Sequence, residues 1–259
     1  MSKALSGTLS AALERCRTAA KLSDGKIMIG LSGGKDSLAT LDVVMRCGAF
    51  SRVEAFAMYL VDGLETFEAP VRAAAARYGI PVHFVPHFEL SRLLKVGVLR
   101  MHLPAAQAPS KKLSPKNVEQ ALTHQHGIDW FAYGERASDS IMRAINTMRC
   151  DGVEQAWKRL WPIYDWKTAQ VLTYLAARRI PVARNLWRAN MDGVSLHPLA
   201  LAALKKRCPS DYAKVLKVFP MAEGQVFRVE RGDFNKPPKG KKTNGRVESK
   251  TAGEAEGEG

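Results

Sequence analysis

The segment that most constrains this chain is residues 26–41, KIMIGLSGGKDSLATL, in which an apolar run passes through six small or polar residues directly into a helical pattern. The spacing predicts a buried strand over residues 26–31. It predicts a helix over 36–46, with Leu38, Leu41, Val44 and Met45 on one side. The residues between then lie where backbone N–H groups and the amino end of a helix converge, an arrangement that suits a phosphate or pyrophosphate. Gly33 and Gly34 let the backbone approach closely, Lys35 adds a point positive charge, and Ser32 and Ser37 offer hydroxyls. Asp36 either caps the helix or helps hold a Mg²⁺ brought by a nucleotide. The spacing is not GxxxxGK[ST], because only two glycines precede the lysine and an aspartate stands before the serine. The plain alternative is a glycine turn in front of a capped helix.

The pattern continues with a strand over 53–61, a helix over 68–78 and a strand over 82–85, the last introduced by the breaker Gly79-Ile80-Pro81. Residues 86–116 are rich in Pro, Lys and Arg and read as an irregular, flexible insertion. A helix over 117–126 and a strand over 130–133 follow. Strands alternating with helices call for an α/β fold, a doubly wound parallel sheet with helices on both faces. Beyond it, helices are expected over 166–178, with Val171, Leu172 and Leu175 inward, and over 199–208 and 211–218. Asp165 reads as a helix cap and Trp166 as core. We expect an α/β domain over 1–182, a helical C-terminal part over 183–229 and a disordered tail over 230–259, whose composition is almost without apolar residues.

A chain of 259 residues, 46% hydrophobic, is large enough to bury a full core. No run of residues is long and apolar enough for a membrane span, and Glu14 interrupts the apolar stretch a signal peptide would need, so a cytoplasmic protein is expected. Cys16, Cys47, Cys150 and Cys208 stand far apart, without CxxC or Cys/His spacing, so neither a structural metal nor an iron–sulfur cluster is expected. The formal charge of +14 favours anionic partners, whether nucleotide, nucleic acid or acidic protein.

The hexapeptide Ser32-Gly33-Gly34-Lys35-Asp36-Ser37 resembles the PP-loop, SGGxDS, of the adenine nucleotide alpha-hydrolase-like superfamily. Three later segments resemble the phosphoadenosine phosphosulfate (PAPS) reductase family within it. Leu60-Val61-Asp62-Gly63-Leu64-Glu65-Thr66 is similar to a second-strand signature of Asp-Thr-Gly then Glu-Thr, without the Thr before the glycine. The stretch from Tyr133-Gly134-Glu135-Arg136 to Arg143 is similar to a Gly-x-Arg…Ser…Arg segment after the fourth strand. Trp161-Pro162-Ile163-Tyr164-Asp165-Trp166 is similar to a Pro-x-x-Asp-Trp helix start.

The resemblance implies a PP-loop fold that binds ATP or PAPS, with Mg²⁺ if ATP is used. Ser32, Gly33, Gly34, Lys35, Asp36, Ser37, Asp62 and Gly134 would contact the nucleotide. Arg136 and Arg143 carry guanidinium forks that grip phosphate or sulfate bidentately, and with Lys35 they are the candidate catalytic cations. Each arginine has the alternative of an ordinary surface residue, and Asp62 that of a turn former before Gly63. The family's reductases attack the sulfonate sulfur with a cysteine in a C-terminal Glu-Cys-Gly-Leu-His motif, which this chain lacks. Cys208, flanked by Lys205, Lys206 and Arg207, is the candidate nucleophile, with a core position on an amphipathic helix as its alternative. Cys150 is a more remote candidate. Three activities stay open: sulfonucleotide reduction or related sulfur transfer, ATP-dependent adenylation of a nucleic acid or small molecule, and nucleotide binding as the non-catalytic subunit of a partner complex.

Overall fold

The computed structural model describes residues 3–101, 109–182 and 196–232. The expected disordered tail falls almost entirely outside them, as do residues 102–108 of the insertion and 183–195.

The apolar run opens the sheet as β1 (Lys26–Gly30) and leads into α2 (Lys35–Cys47), preceded in the chain by α1 (Lys3–Leu22). Then come β2 (Arg52–Tyr59), α3 (Glu65–Ala76), β3 (Val82–Pro86), α4 (Phe88–Lys95), α5 (Pro115–His126) and the short β4 (Phe131–Ala132). A single 3₁₀ turn (Ala137–Asp139), α6 (Ile141–Arg149) and a small hairpin of β5 (Val153–Glu154) and β6 (Arg159–Leu160) follow. The helices α7 (Thr168–Ala177), α8 (Pro198–Arg207), α9 (Pro209–Val218) and α10 (Ala222–Glu230) end the described chain.

The sheet order is β3-β2-β1-β4-β6-β5, parallel throughout except for β5. Two crossovers run one way from β1 through β3, and the next returns past β1 to β4. The order therefore reverses between β1 and β4, where open α/β sheets leave a crevice at the carboxyl ends of their strands. Side chains alternate across the sheet with the two-residue period of a strand. Ile27, Ile29, Ala55, Ala57 and Ala132 enter a large core shared with α1, α2, α3 and α7–α10, while Met28, Phe56 and Phe131 join Val118 and Leu122 of α5 on the other face.

Helix ends follow local chemistry. Ser114 and Asn117 close a capping box on α5, with Pro115 in its first turn, and Gly48 ends α2 in the left-handed region (φ 65°). The C-terminal helices are fixed by a buried charge: Asp211 of α9 accepts hydrogen bonds from the amides of Glu65 and Thr66 and from the Thr66 hydroxyl, so it caps α3 across 145 residues of chain.

Several expectations need correction. Residues 86–116 are not irregular throughout, since they contain α4, held by a His87 ring nitrogen that accepts from the Glu89 amide. Asp165 does not cap α7, which begins after Lys167; it pairs in a bidentate fashion with the Arg15 guanidinium of α1 (3.0 Å to each oxygen). Leu172 is exposed and Tyr174 takes the inward place, because at 3.6 residues per turn Val171, Tyr174 and Leu175 share one face and residue 172 is turned about 100° from 171.

Candidate active site

The segment between β1 and α2 lies at the reversal point. Gly33 sits at φ 75°, a left-handed conformation that side chains rarely adopt, and turns the chain so that α2 starts at once. Gly34 is the residue before the helix, and no side chain caps α2. The first-turn amides of a helix have no intrahelical acceptors, so those of Lys35, Asp36 and Ser37 are available to an anion. The Ser37 hydroxyl donates to the Gly34 carbonyl (2.9 Å) and lies 3.3 Å from the exposed Ser32 hydroxyl, which also accepts from the Gly34 amide (3.4 Å). These contacts brace the turn without side-chain bulk.

The exit of β4 closes the other side. Gly134 packs so tightly that a β-carbon there would stand 2.7 Å from the carbonyl carbon of Asp36 and 2.8 Å from the Ser37 nitrogen. Its contribution is thus to let two backbones touch. Tyr133 packs beneath Gly30, with its hydroxyl on Glu119.

Arg136 and Arg143 have different surroundings. Arg136 is 5% exposed, and its guanidinium donates to Asp139 (2.9 Å), the Thr168 hydroxyl (3.0 Å) and the Trp166 carbonyl (3.4 Å). Its Nε lies 3.1 Å from Asp36 Oδ1, an ion pair too bent for a hydrogen bond. The residue joins the starts of α2 and α7 and the 3₁₀ turn. Arg143 stands half-exposed in the first turn of α6, its Nε 3.4 Å from Glu135 and its Nη1 3.7 Å from Asp139.

Lys35 Nζ is 2.5 Å from Asp36 Oδ2. With Arg136 Nε beside its other oxygen, the Asp36 carboxylate faces two cations, and it does not cap α2. Asp62 is exposed in the turn after β2. Beside it, Lys214 of α9 donates to the Gly63 carbonyl. That bond and the Asp211 cap fix the first turn of α9 to the carboxyl edge of the sheet. Cys208, at the α8–α9 junction, is half-buried, with its sulfur 3.4 Å from the Ser210 hydroxyl. Cys150 is half-buried at the end of α6 with its thiol toward the Asn146 carbonyl, and burial raises its pKa.

Sequence reasoning missed Asp211, Lys214 and Asp42. Asp42 is wholly buried in the middle of α2 and accepts hydrogen bonds from Tyr78 (2.6 Å), Tyr174 and Arg178 (2.9 Å), tying the cradle helix to the turn after α3 and to the end of α7. A charged residue on the apolar side of a predicted helix was the signal for it.

A parallel sheet with an uncapped glycine loop at its reversal point is the arrangement expected of a PP-loop α/β protein. The chain belongs to the phosphoadenosine phosphosulfate reductase domain family, whose model matches residues 26–194. No curated protein gives a significant match. Solved structures similar to it include the U34-tRNA thiolase NcsA from Methanococcus maripaludis with its [4Fe-4S] cluster (15% identity, 86% of this chain and 80% of that one, TM-score 0.42). PAPS reductase from Candida auris matches at 16% identity over 74% of this chain and 96% of its own, with a TM-score of 0.43. The NH₃-dependent NAD synthetase from Campylobacter jejuni matches at 11% identity over 90% and 96%, with a TM-score of 0.49. The expectation of no iron–sulfur cluster is withdrawn, because the thiolase carries one. Folding brings cysteines together that are distant in sequence, so spacing alone does not decide the matter. No helix among the described residues is long and apolar enough to cross a membrane.

Proposed function

We propose that this chain binds an adenine nucleotide through the cradle of residues 32–37 and acts on it in sulfonucleotide reduction or a related sulfur transfer. The observation that carries the reading is the uncapped amino end of α2 behind the left-handed Gly33 at the sheet's reversal point. In this reading the amides of Lys35, Asp36 and Ser37 hold a phosphate, and the Lys35 ammonium neutralises it. Half-exposed Arg143 reads a second anionic group, and buried Arg136 positions the loop. Cys208 is the nucleophile: its thiolate attacks the sulfonate sulfur, the sulfur–oxygen bond to the phosphate breaks, and the nucleoside bisphosphate leaves. A dithiol carrier then releases sulfite and is itself oxidised. The hydrogen bonds that Asp211 and Lys214 make to the β2–α3 segment support the reading, since they hold the helix beginning after Cys208 at the same edge of the sheet as the cradle.

A second reading, ATP-dependent adenylation with pyrophosphate as leaving group, is favoured by the absence of a Glu-Cys-Gly-Leu-His segment from the chain. The excess of basic residues suits a nucleic-acid acceptor for that reaction. One paired assay tests both. Sulfite release from PAPS with a dithiol carrier is the expected result. Pyrophosphate release from ATP and Mg²⁺, without sulfite, moves the assignment to adenylation. Nucleotide binding without either product makes the chain a binding subunit.

A further inference from the structure

At the amino end of the sheet, away from the cradle, three side chains from three elements converge: Glu54 of β2, His83 of β3 and His126 in the last turn of α5. The register pairs Phe56 with His83, and the two-residue period then puts Glu54 and His83 on the face that α5 covers. Glu54 Oε2 lies 2.7 Å from His83 Nε2 and 3.7 Å from His126 Nδ1, and one donor atom from each residue falls within 4.8 Å of the other two. The carboxylate side chain is 8% exposed, while the imidazoles are 26% and 22% exposed and stack with centroids 3.9 Å apart. A buried carboxylate thus forms the floor of the group, with two imidazoles at its mouth.

We infer that Glu54, His83 and His126 form a binding site for a divalent transition metal of the zinc type. Two imidazoles and a carboxylate are a donor set such ions accept, with a further position left for water. Ligands about 2.0–2.2 Å from one tetrahedral ion stand roughly 3.3 Å from one another. The 3.7 Å between Glu54 and His126 is too long for a hydrogen bond and close to that spacing. His83 reaches it by drawing back roughly half an ångström, and the two rings, now 32° from parallel, must also splay so that both in-plane nitrogen lone pairs meet at the ion. The second Glu54 oxygen is held by Arg52, with Nε at 2.8 Å and Nη2 at 2.6 Å. A partner of this kind orients a ligand from behind and leaves Oε2 as a single donor. The Arg52 charge opposes any cation, which disfavours ions such as Mg²⁺ that gain little from imidazole and favours those that bond nitrogen strongly. The bound ion would tie β2, β3 and α5 together without touching the nucleotide cradle.

The experiment is a Co²⁺ titration of the full chain, read by ligand-field absorption and by thermal unfolding, with Zn²⁺ as competitor. One equivalent of Co²⁺, a visible band without thiolate charge-transfer absorption, a raised Tm and displacement by Zn²⁺ are expected. His126→Ala, at a helix end, should fold normally and bind at least tenfold more weakly, while Cys208→Ser should bind as the parent does. Should His83→Asn fail to fold, His126→Ala decides the question. Absence of saturable binding, a thiolate band, or equal affinity in His126→Ala overturns the proposal.

Discussion

Replacing Gly134 by alanine puts a methyl group 2.7 Å from the Asp36 carbonyl carbon, 2.8 Å from its oxygen and 2.8 Å from the Ser37 nitrogen. All three are backbone atoms in the first turn of α2, so no rotamer change relieves the clash. Ordinary contact begins at 3.4 Å, so the β4 exit and α2 must separate by about 0.7 Å. Overpacking of this kind costs about 1–3 kcal/mol. At 1.4 kcal/mol per factor of ten, the folded-to-unfolded ratio falls by about 5- to 150-fold. Each kcal/mol lowers Tm by about 2–4 °C in a chain of this length. Gly34 is the control, because a β-carbon there meets only the Ser32 hydroxyl, at 3.4 Å, and its φ of −76° suits any residue. Gly34→Ala should hold or slightly raise stability by restricting the unfolded chain, yet lose nucleotide binding because the methyl group occupies the cradle. Urea unfolding followed by tryptophan fluorescence, with the slope checked for constancy, measures the first effect. Calorimetry with PAPS and with ATP measures the second. A Gly134→Ala midpoint equal to the parent's would refute the close-approach argument, and undiminished affinity in Gly34→Ala would remove the anion from this loop.

Burial pushes the Asp42 carboxyl up, but hydrogen bonds from Arg178, then Tyr174 and Tyr78, outweigh it and the net shift is down. Its contribution to stability is therefore complete above the unfolded value of about 3.9 and is lost as pH falls from there through the folded value. Arg178→Ala should cost about 1.5–3 kcal/mol at pH 7 and flatten the fall in urea midpoint between pH 5 and pH 2; an unchanged acid slope counts against the linkage. Arg136→Ala should lower the unfolding midpoint, whereas Arg143→Ala should fold normally and weaken PAPS binding more than AMP binding, which calorimetry on both ligands checks. Cys208 should alkylate quickly in the folded protein and be protected by nucleotide, and Cys208→Ser should abolish sulfite release. Peptide mapping is required, because the hydrogen bond from Cys16 lowers the Cys47 pKa to about 6, against the opposing effect of burial, and Cys47 is expected to be alkylated as well.

The parallel sheet and its cradle were legible because they are written locally. Apolar runs of strand length, glycine breakers and a helix period within a few residues fix β1, α2, β2, α3 and β3 to within a few positions. The helix α1 was not legible, since its core face is built from Leu9, Ala12, Cys16, Ala19 and Ala20, mostly small residues with a weak apolar contrast. The roles of Arg136 and Asp165 were also beyond local reading. An arginine or aspartate in a loop looks the same whether it faces solvent or a partner more than twenty residues away, as Thr168 is from Arg136 and Arg15 is from Asp165.

Those distant partners share a physical logic. The loop's own residues are mostly small and polar, and they bury too little apolar surface to fix its backbone by packing alone. Three ionised groups elsewhere supply the constraint: Asp42 clasps the middle of α2, Arg136 joins its start to α7, and Asp211 caps α3 from the C-terminal helices. A buried charge tolerates few geometries, because every displacement leaves it without a partner in a low-dielectric interior. Apolar packing of the same volume would be as stabilising but would allow the helices to slide. The charged contacts therefore fix position more than they add stability, and position is what the proposed anion cradle of backbone amides requires.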